Sequence, residues 1–226
     1  SISQLPSFLP TLSSAVKTRL RILCLHGYRQ NDVLFREKSG SLRKQLKKYA
    51  NFEFVSAPLS PNVVSEERED VRSWWFSRED DQFSSRDVCN IAKGFEKSVS
   101  MAVVEYFNGP FDGILGFSQG ASMAHLLLVM EKRGEISLGF RFAILISGFL
   151  SLSAVHSSYI SLTCDVPTLH IYGTGDQIVF STTSEKFRSM FSDSMTIVHE
   201  GGHYIPSTAK YKHIFSAFLK RFVDPS

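Results

Sequence analysis

The sequence predicts an α/β domain built on a mainly parallel, doubly wound sheet with helices on both faces, and two observations carry that prediction. Strand-length apolar runs alternate with segments whose apolar residues recur at helical spacing, the order that makes βαβ units. The strand runs are continuous rather than alternately apolar and polar, as they are when both faces of a sheet are covered. A chain of 226 residues with 43% hydrophobic content is long enough for one sizeable core. Residues 20–226 are therefore read as a single domain, and residues 1–19, serine-rich and free of acids, as a loose N-terminal arm.

Arg21-Ile22-Leu23-Cys24-Leu25 is the first buried strand and ends in His26-Gly27-Tyr28-Arg29-Gln30-Asn31. Leu42, Leu46 and Tyr49 then share one helical face, with Arg43, Lys44, Lys47 and Lys48 around the rest, so this helix is amphipathic and its lysines are solvated. Phe52-Glu53-Phe54-Val55 is the second strand, closed by Ala57-Pro58. From residue 60 to 87 the chain is irregular and mixes charges of both signs around Trp74-Trp75-Phe76. Residues 88–107 read as a helix carrying Ile91, Phe95, Val99, Ala102, Val103 and Tyr106, stopped by Asn108-Gly109-Pro110.

The strand of residues 111–115 leads into Gly116-Phe117-Ser118-Gln119-Gly120, and residues 121–130 follow as a helix apolar nearly all round, as a buried central helix should be. Phe142-Ala143-Ile144-Leu145-Ile146 is a fourth strand, ending at Ser147-Gly148-Phe149. Residues 166–172 are a fifth, ending at Gly173-Thr174-Gly175-Asp176, and residues 195–198 a sixth, ending at Glu200-Gly201-Gly202-His203. A last helix follows Pro206-Ser207 and places Tyr211, Ile214, Phe215, Phe218, Leu219 and Phe222 on one stripe.

Composition excludes several classes. A net charge of +3 spread over both signs, without a long basic block, makes nucleic acid a poor partner. No apolar run has the length of a membrane span. Cys24, Cys89 and Cys164 are far apart, odd in number and without metal-ligand spacing, which argues for free thiols in a reducing, cytoplasmic setting. The opening arm has a composition that permits a trimmed organelle-targeting segment but lacks its arginine density. Oligomeric state has no signature in the pattern.

Gly116-Phe117-Ser118-Gln119-Gly120 matches G-x-S-x-G, the turn in which a strand passes sharply into a helix and holds a serine in a strained conformation. In parallel sheets function collects at the carboxyl ends of the strands. His26-Gly27, Ser118, Asp176 and His203 all stand at such ends, in the chain order Ser, Asp, His that α/β-hydrolases use. Among the seven histidines His203 alone lies in a glycine-flanked loop after the last strand, whereas His170 lies inside a strand and His125 inside the central helix. Asp165 is the rival acid, but it precedes the fifth strand, at the wrong end of the sheet. His199-Glu200-Gly201-Gly202-His203 also satisfies H-E-x-x-H, yet that zinc motif needs a helix, and a strand end with two consecutive glycines, each costing about 1 kcal/mol in a helix interior, is not one. Gly173-Thr174-Gly175 lacks the third glycine of a dinucleotide loop. No metal and no cofactor is expected.

Leu23 to Asn31, Phe35-Arg36-Glu37-Lys38-Ser39-Gly40 with Leu42-Arg43-Lys44, Trp74-Trp75-Phe76, Gly109 to Ala121, Ser147-Gly148-Phe149 and Gly201-Gly202-His203-Tyr204-Ile205-Pro206 together resemble the FSH group, the family of serine hydrolases. The resemblance runs from about residue 20 to 222. It implies an α/β-hydrolase fold without a large cap domain and hydrolysis of carboxylic esters with acyl chains as the substrate class; fungal relatives include thioesterases that release a polyketide from its carrier.

The chemistry assigns each role. A serine hydroxyl is a weak nucleophile at neutral pH and needs a base within reach, which makes Ser118 the nucleophile and His203 the base. Asp176 would hold the imidazole in the right tautomer. The backbone N–H groups of Gln119 and Tyr28 are placed to hold the oxyanion, and His26 shapes its loop. Trp74, Trp75 and Phe76, with Phe117, Phe149 and Ile205, are expected along an acyl groove, because apolar aromatic walls suit such a chain. The small-molecule acyl ester so inferred has two competing readings, an acyl thioester on a carrier or coenzyme, and a ligand-binding protein that keeps the fold without catalysis.

Overall fold

The computed structural model describes residues 19–64 and 70–223. The N-terminal arm therefore lies outside the described residues, apart from Arg19. Six parallel strands form one sheet in the order β2-β1-β3-β4-β5-β6: β1 Leu20–Leu25, β2 Ala50–Val55, β3 Gly113–Phe117, β4 Phe142–Ile146, β5 Thr168–Gly173 and β6 Ser194–His199. Among the described residues seven α-helices connect and cover them: α1 Asp32–Lys38, α2 Gly40–Leu46, α3 Phe95–Asn108, α4 Gln119–Lys132, α5 Ser157–Ile160, α6 Ser181–Arg188 and α7 Lys212–Leu219.

The continuous apolar strands divide their side chains between two cores. Leu23, Leu25, Ile114, Ala143 and Leu145 face α3, α4 and Phe187 of α6. Ile22, Cys24, Leu115, Ile144 and Ile146 face Phe35 of α1 together with α2 and α7. Both sheet faces are thus buried, which is why no polar alternation shows in the strands. Helix α4 buries residues Gln119 to Val129 without a break, and its all-round apolar character follows from lying between the sheet and other helices.

The order of strands reverses between β1 and β3, where β2 goes to one side and all later strands to the other. Ligands in open α/β sheets bind in the crevice that opens at such a point, beyond the strand carboxyl ends. The His26-Gly27 turn and Ser118 leave adjacent strands there.

Four helices differ from expectation. Helix α3 starts at Phe95 rather than near residue 88, because Phe76 and Lys93 exchange backbone hydrogen bonds of 2.9 Å and Cys89 bridges to the chain at residues 152–154, so the backbone before Gly94 is already committed. Gly94 itself takes φ +82, a left-handed turn that opens the helix. Helices α1, α5 and α6 have no signature in the sequence pattern, since α1 buries Phe35 alone, α5 no residue and α6 only Ser184 and Phe187.

Burial holds four histidines uncharged. His26, His125 and His156 are pushed down to about 4 and His170 to about 3, each by desolvation of the charged form. His125 and His170 pack against the rings of Phe187 and Phe191, and neither nitrogen of His125 has a partner among the described residues. An unfolded chain binds protons at these rings near the ordinary histidine value, and the folded one only well below it. Stability is therefore complete above that ordinary value and falls as pH drops from about 6.5 towards 4. Melting followed by circular dichroism should show a Tm lower by on the order of 10 °C at pH 5 than at pH 7.

Candidate active site

Ser118 has φ 55° and ψ −115° at the point where β3 turns into α4. A non-glycine residue in that region is strained, and the surrounding contacts over-determine it. A Cβ on Gly116 would lie 2.4 Å from the carbonyl oxygen of Gly120, and one on Gly120 would lie 2.1 Å from that of Leu25. Only glycine lets the helix pass this close to β1 and β3, and the backbone N–H of Ser118 is fixed by the Ile146 carbonyl at 2.8 Å.

The hydroxyl of Ser118 lies 3.0 Å from Nε2 of His203, and Nδ1 of His203 lies 2.7 Å from Oδ2 of Asp176. The other carboxylate oxygen, Oδ1, accepts the N–H groups of Ile178 and Val179, each at 2.9 Å. Burial of Asp176 pushes its carboxyl up, but the His203 ring and these two N–H groups outweigh burial, and the net shift is downward. Asp176 is thus an ionised, fully satisfied acceptor that presents one oxygen to the imidazole. Asp165 stands at the opposite end of β5, tied to Lys132 at 2.9 Å and to Ser192 at 3.1 Å. Residues 199–203 form a strand end and a turn, so His199 and His203 lack the helical spacing that a shared metal would need.

As the first residue of α4, Gln119 has a backbone N–H without an intrahelical acceptor. Among the described residues no acceptor takes that group, nor the N–H of Tyr28 in the turn after β1. The turn itself is built around His26, whose Nδ1 donates to the Gly27 carbonyl at 2.7 Å while Nε2 accepts the N–H of Ala57 at 3.0 Å.

Beside Ser118 opens a cleft of about 720 Å³. Phe117 and Ile205 line it, together with Tyr28 and His203. Trp74, Trp75, Phe76 and Phe149 do not. The two tryptophans are buried at 0% and 1% exposure, and the reason lies in the Gln119 side chain. Its Oε1 accepts the Trp74 N–H at 2.9 Å and its Nε2 donates to the Trp75 carbonyl at 2.8 Å. The Trp74 indole donates to the His26 carbonyl at 2.8 Å, and Ser98 donates to the Trp74 carbonyl at 2.5 Å. Three adjacent aromatics thus fold into the core as a plug behind the turns at residues 26–28 and 118–120. Trp74→Ala should cost about 3 to 5 kcal/mol in denaturant unfolding, as for other large core truncations, and should slow esters of every chain length alike.

Phe83, Ser84, Ser85 and Arg86 form the wall where the aromatic triplet was expected, and Ile178 and Tyr204 form the rim. The ring of Phe83 packs between those of Tyr28 and Trp75, at 5.4 and 5.3 Å, and stacks on Phe149. Ile178 and Tyr204 could have been found as near neighbours of Asp176 and His203. Residues 83–86 had no signal, because tertiary pairing of an irregular segment brings them in.

A parallel six-stranded sheet with a strained serine on the β3 to α4 turn, hydrogen-bonded through a histidine to a buried aspartate, defines an α/β-hydrolase. The chain belongs to the serine hydrolase (FSH1) family, whose model matches residues 15–215. It is 50% identical over 212 residues to Esterase C25G4.2 of Caenorhabditis elegans, covering 91% of this chain and 95% of that one. It is 38% identical over 221 residues to Esterase OVCA2 of Danio rerio, covering 90% and 97%. Family and relatives make it a serine ester hydrolase. In fold it is similar to the crystal structure of Zea mays acyl-protein thioesterase 2, with a TM-score of 0.61, 18% identity and coverage of 90% of this chain and 95% of that one. No helix among the described residues is long and apolar enough to cross a membrane.

Proposed function

We propose that this protein hydrolyses carboxylic esters of medium-to-long acyl chains through an acyl-enzyme on Ser118. His203 takes the proton of the Ser118 hydroxyl as it attacks the carbonyl and returns it to the leaving alcohol; water then repeats the cycle and frees the acid. Asp176 keeps the proton on Nδ1, so that Nε2 is free to act as base. The N–H groups of Gln119 and Tyr28 hold the oxyanion of the tetrahedral intermediate, a contribution of about 3 to 4 kcal/mol per donor in comparable sites. The observation that carries this reading is the continuous hydrogen-bonded chain from Ser118 through His203 to Asp176 on a strained turn.

The cleft volume and the apolar surfaces of Phe83, Phe117 and Ile205 support an acyl chain of some length. Each methylene moved from water onto such a wall adds about 0.8 kcal/mol, or about fourfold in kcat/KM. A panel of para-nitrophenyl esters from acetate to decanoate, run beside fluorophosphonate labelling, tests this. A rise with chain length and a single labelled serine support the reading; a flat or falling series overturns the acyl-groove assignment. The same groups would cleave an acyl thioester, and likeness to a thioesterase in fold alone does not separate the two substrates. A thioester series run in parallel does. A non-catalytic role would be favoured by the loss of one of the three groups, and all three are present.

A further inference from the structure

We propose that Arg86 is an anion-binding residue of this cleft, so that the preferred substrate carries a carboxylate or phosphate group away from the scissile bond. The proposal rests on the hydrolase reading of Ser118 and narrows its substrate class.

Among the described residues the formal charges lining the cleft are of one sign: Lys38 and Arg86 line it, and no aspartate or glutamate does. A neutral acyl ester has no use for an uncompensated cation in an apolar cleft, whereas walls of low polarity focus the field of that cation on an incoming anion. Lys38 is an exposed side chain at the end of α1. Arg86 is exposed as well, but its guanidinium is held in place. Its Nη2 donates to the carbonyls of Gln177 at 2.8 Å and Ile178 at 3.3 Å, and the group stands over the Phe180 ring at 4.6 Å. These contacts leave the Nε and Nη1 edges without an acceptor among the described residues.

No carboxylate of the described residues pairs with Arg86. The nearest acid in sequence, Asp87, is committed to Arg78, whose Nε lies 2.8 Å away, and to the Ser77 hydroxyl at 2.6 Å. An arginine fixed by carbonyls and an aromatic face keeps its charge and its fork geometry for another partner. The location suits a substrate contact. Gln177 and Ile178 directly follow Asp176, and Ser84 and Ser85 bring hydroxyl groups to the same wall. Arg86 could instead serve only to tie the segment of residues 83–86 to the loop after Asp176. The experiment has to separate those two roles.

Two matched pairs of substrates do so. The para-nitrophenyl monoester of adipic acid ends in a free carboxylate, and its methyl-capped counterpart has the same chain without the charge. Octanoyl-coenzyme A has phosphates on its leaving group, and octanoyl-N-acetylcysteamine is the same thioester without them. In at least one pair kcat/KM should favour the anionic member by roughly tenfold, the scale of a charge-assisted hydrogen bond. Arg86→Gln should remove that preference, Arg86→Lys should keep part of it, and added salt should weaken it. The pair that responds shows whether the anion sits on the acyl or the leaving side. Equal rates within both pairs overturn the proposal. So does an Arg86→Gln variant that slows both members of every pair in proportion, which would make the residue a tie between loops. If no ester or thioester is turned over, the hydrolase reading falls, and binding of the same pairs to the Ser118→Ala protein by calorimetry decides the anion site. An Arg86-dependent preference for the anionic member then keeps it, and equal affinities end it.

Discussion

Ser118→Ala is expected to abolish both ester turnover and covalent labelling by a fluorophosphonate while leaving the protein folded. Removing the nucleophile of a Ser-His-Asp hydrolase lowers kcat on the order of 10⁶-fold. The structural cost is small, because the Ser118 side chain makes one hydrogen bond, to His203, and the strained backbone is fixed by its neighbours rather than by the hydroxyl. Intact mass after labelling, read beside a melting curve, checks both halves. The most instructive failure would be labelling of Ser147. That residue also has a positive φ, of 52°, at the end of the adjacent strand β4, and its buried hydroxyl has no partner among the described residues. It has no histidine to take its proton, and for that reason it is expected to stay unmodified.

The comparison of these two serines shows what the sequence alone could resolve. G-x-S-x-G was legible because two glycines four positions apart leave one physical reading once a buried strand precedes them and an all-apolar helix follows. The close approaches at Gly116 and Gly120 are that reading in atomic terms. Ser147, beside Gly148, had no such frame. Strand positions were legible for a similar reason, since burial on both faces demands an unbroken apolar run, as in Phe142–Ile146. Helices α1 and α6 were not legible, because a short helix that buries one or two side chains leaves no periodic trace.

The cleft walls were the least legible part. Trp74 and Trp75 have the composition of a groove, but composition does not tell a wall from a plug. The difference is made by the Gln119 side chain, which satisfies the backbone of both tryptophans from across the fold. Phe83 and Arg86 come from the irregular segment, where position depends on isolated pairings such as Phe76 with Lys93. Residues 65–69 of that segment lie outside the described residues.

Asp176→Asn is expected to lower kcat by about 10⁴-fold with little loss of stability, and Asp165→Asn to leave kcat almost unchanged. The size of the first effect follows from hydrogen-bond bookkeeping at the carboxylate. Oδ1 must accept the N–H groups of Ile178 and Val179, so an asparagine placed here keeps its carbonyl oxygen on that side. Its amide N–H₂ then points at Nδ1 of His203, where the aspartate presents an acceptor 2.7 Å away. The imidazole has to reverse its tautomer and carry its proton on Nε2, the atom 3.0 Å from the Ser118 hydroxyl. A nitrogen that already bears its proton has no in-plane lone pair with which to accept another from serine, and the neutral asparagine no longer stabilises the imidazolium that the reaction forms. The same substitution in another Ser-His-Asp enzyme costs about 10⁴ in kcat with the geometry intact. Asp165 makes only an exposed pair with Lys132 and a contact with Ser192 before β5. Steady-state kinetics on one ester for both variants settles the assignment: a crippled Asp165→Asn beside an active Asp176→Asn would move the acid to the other end of the strand and with it the whole arrangement of the site.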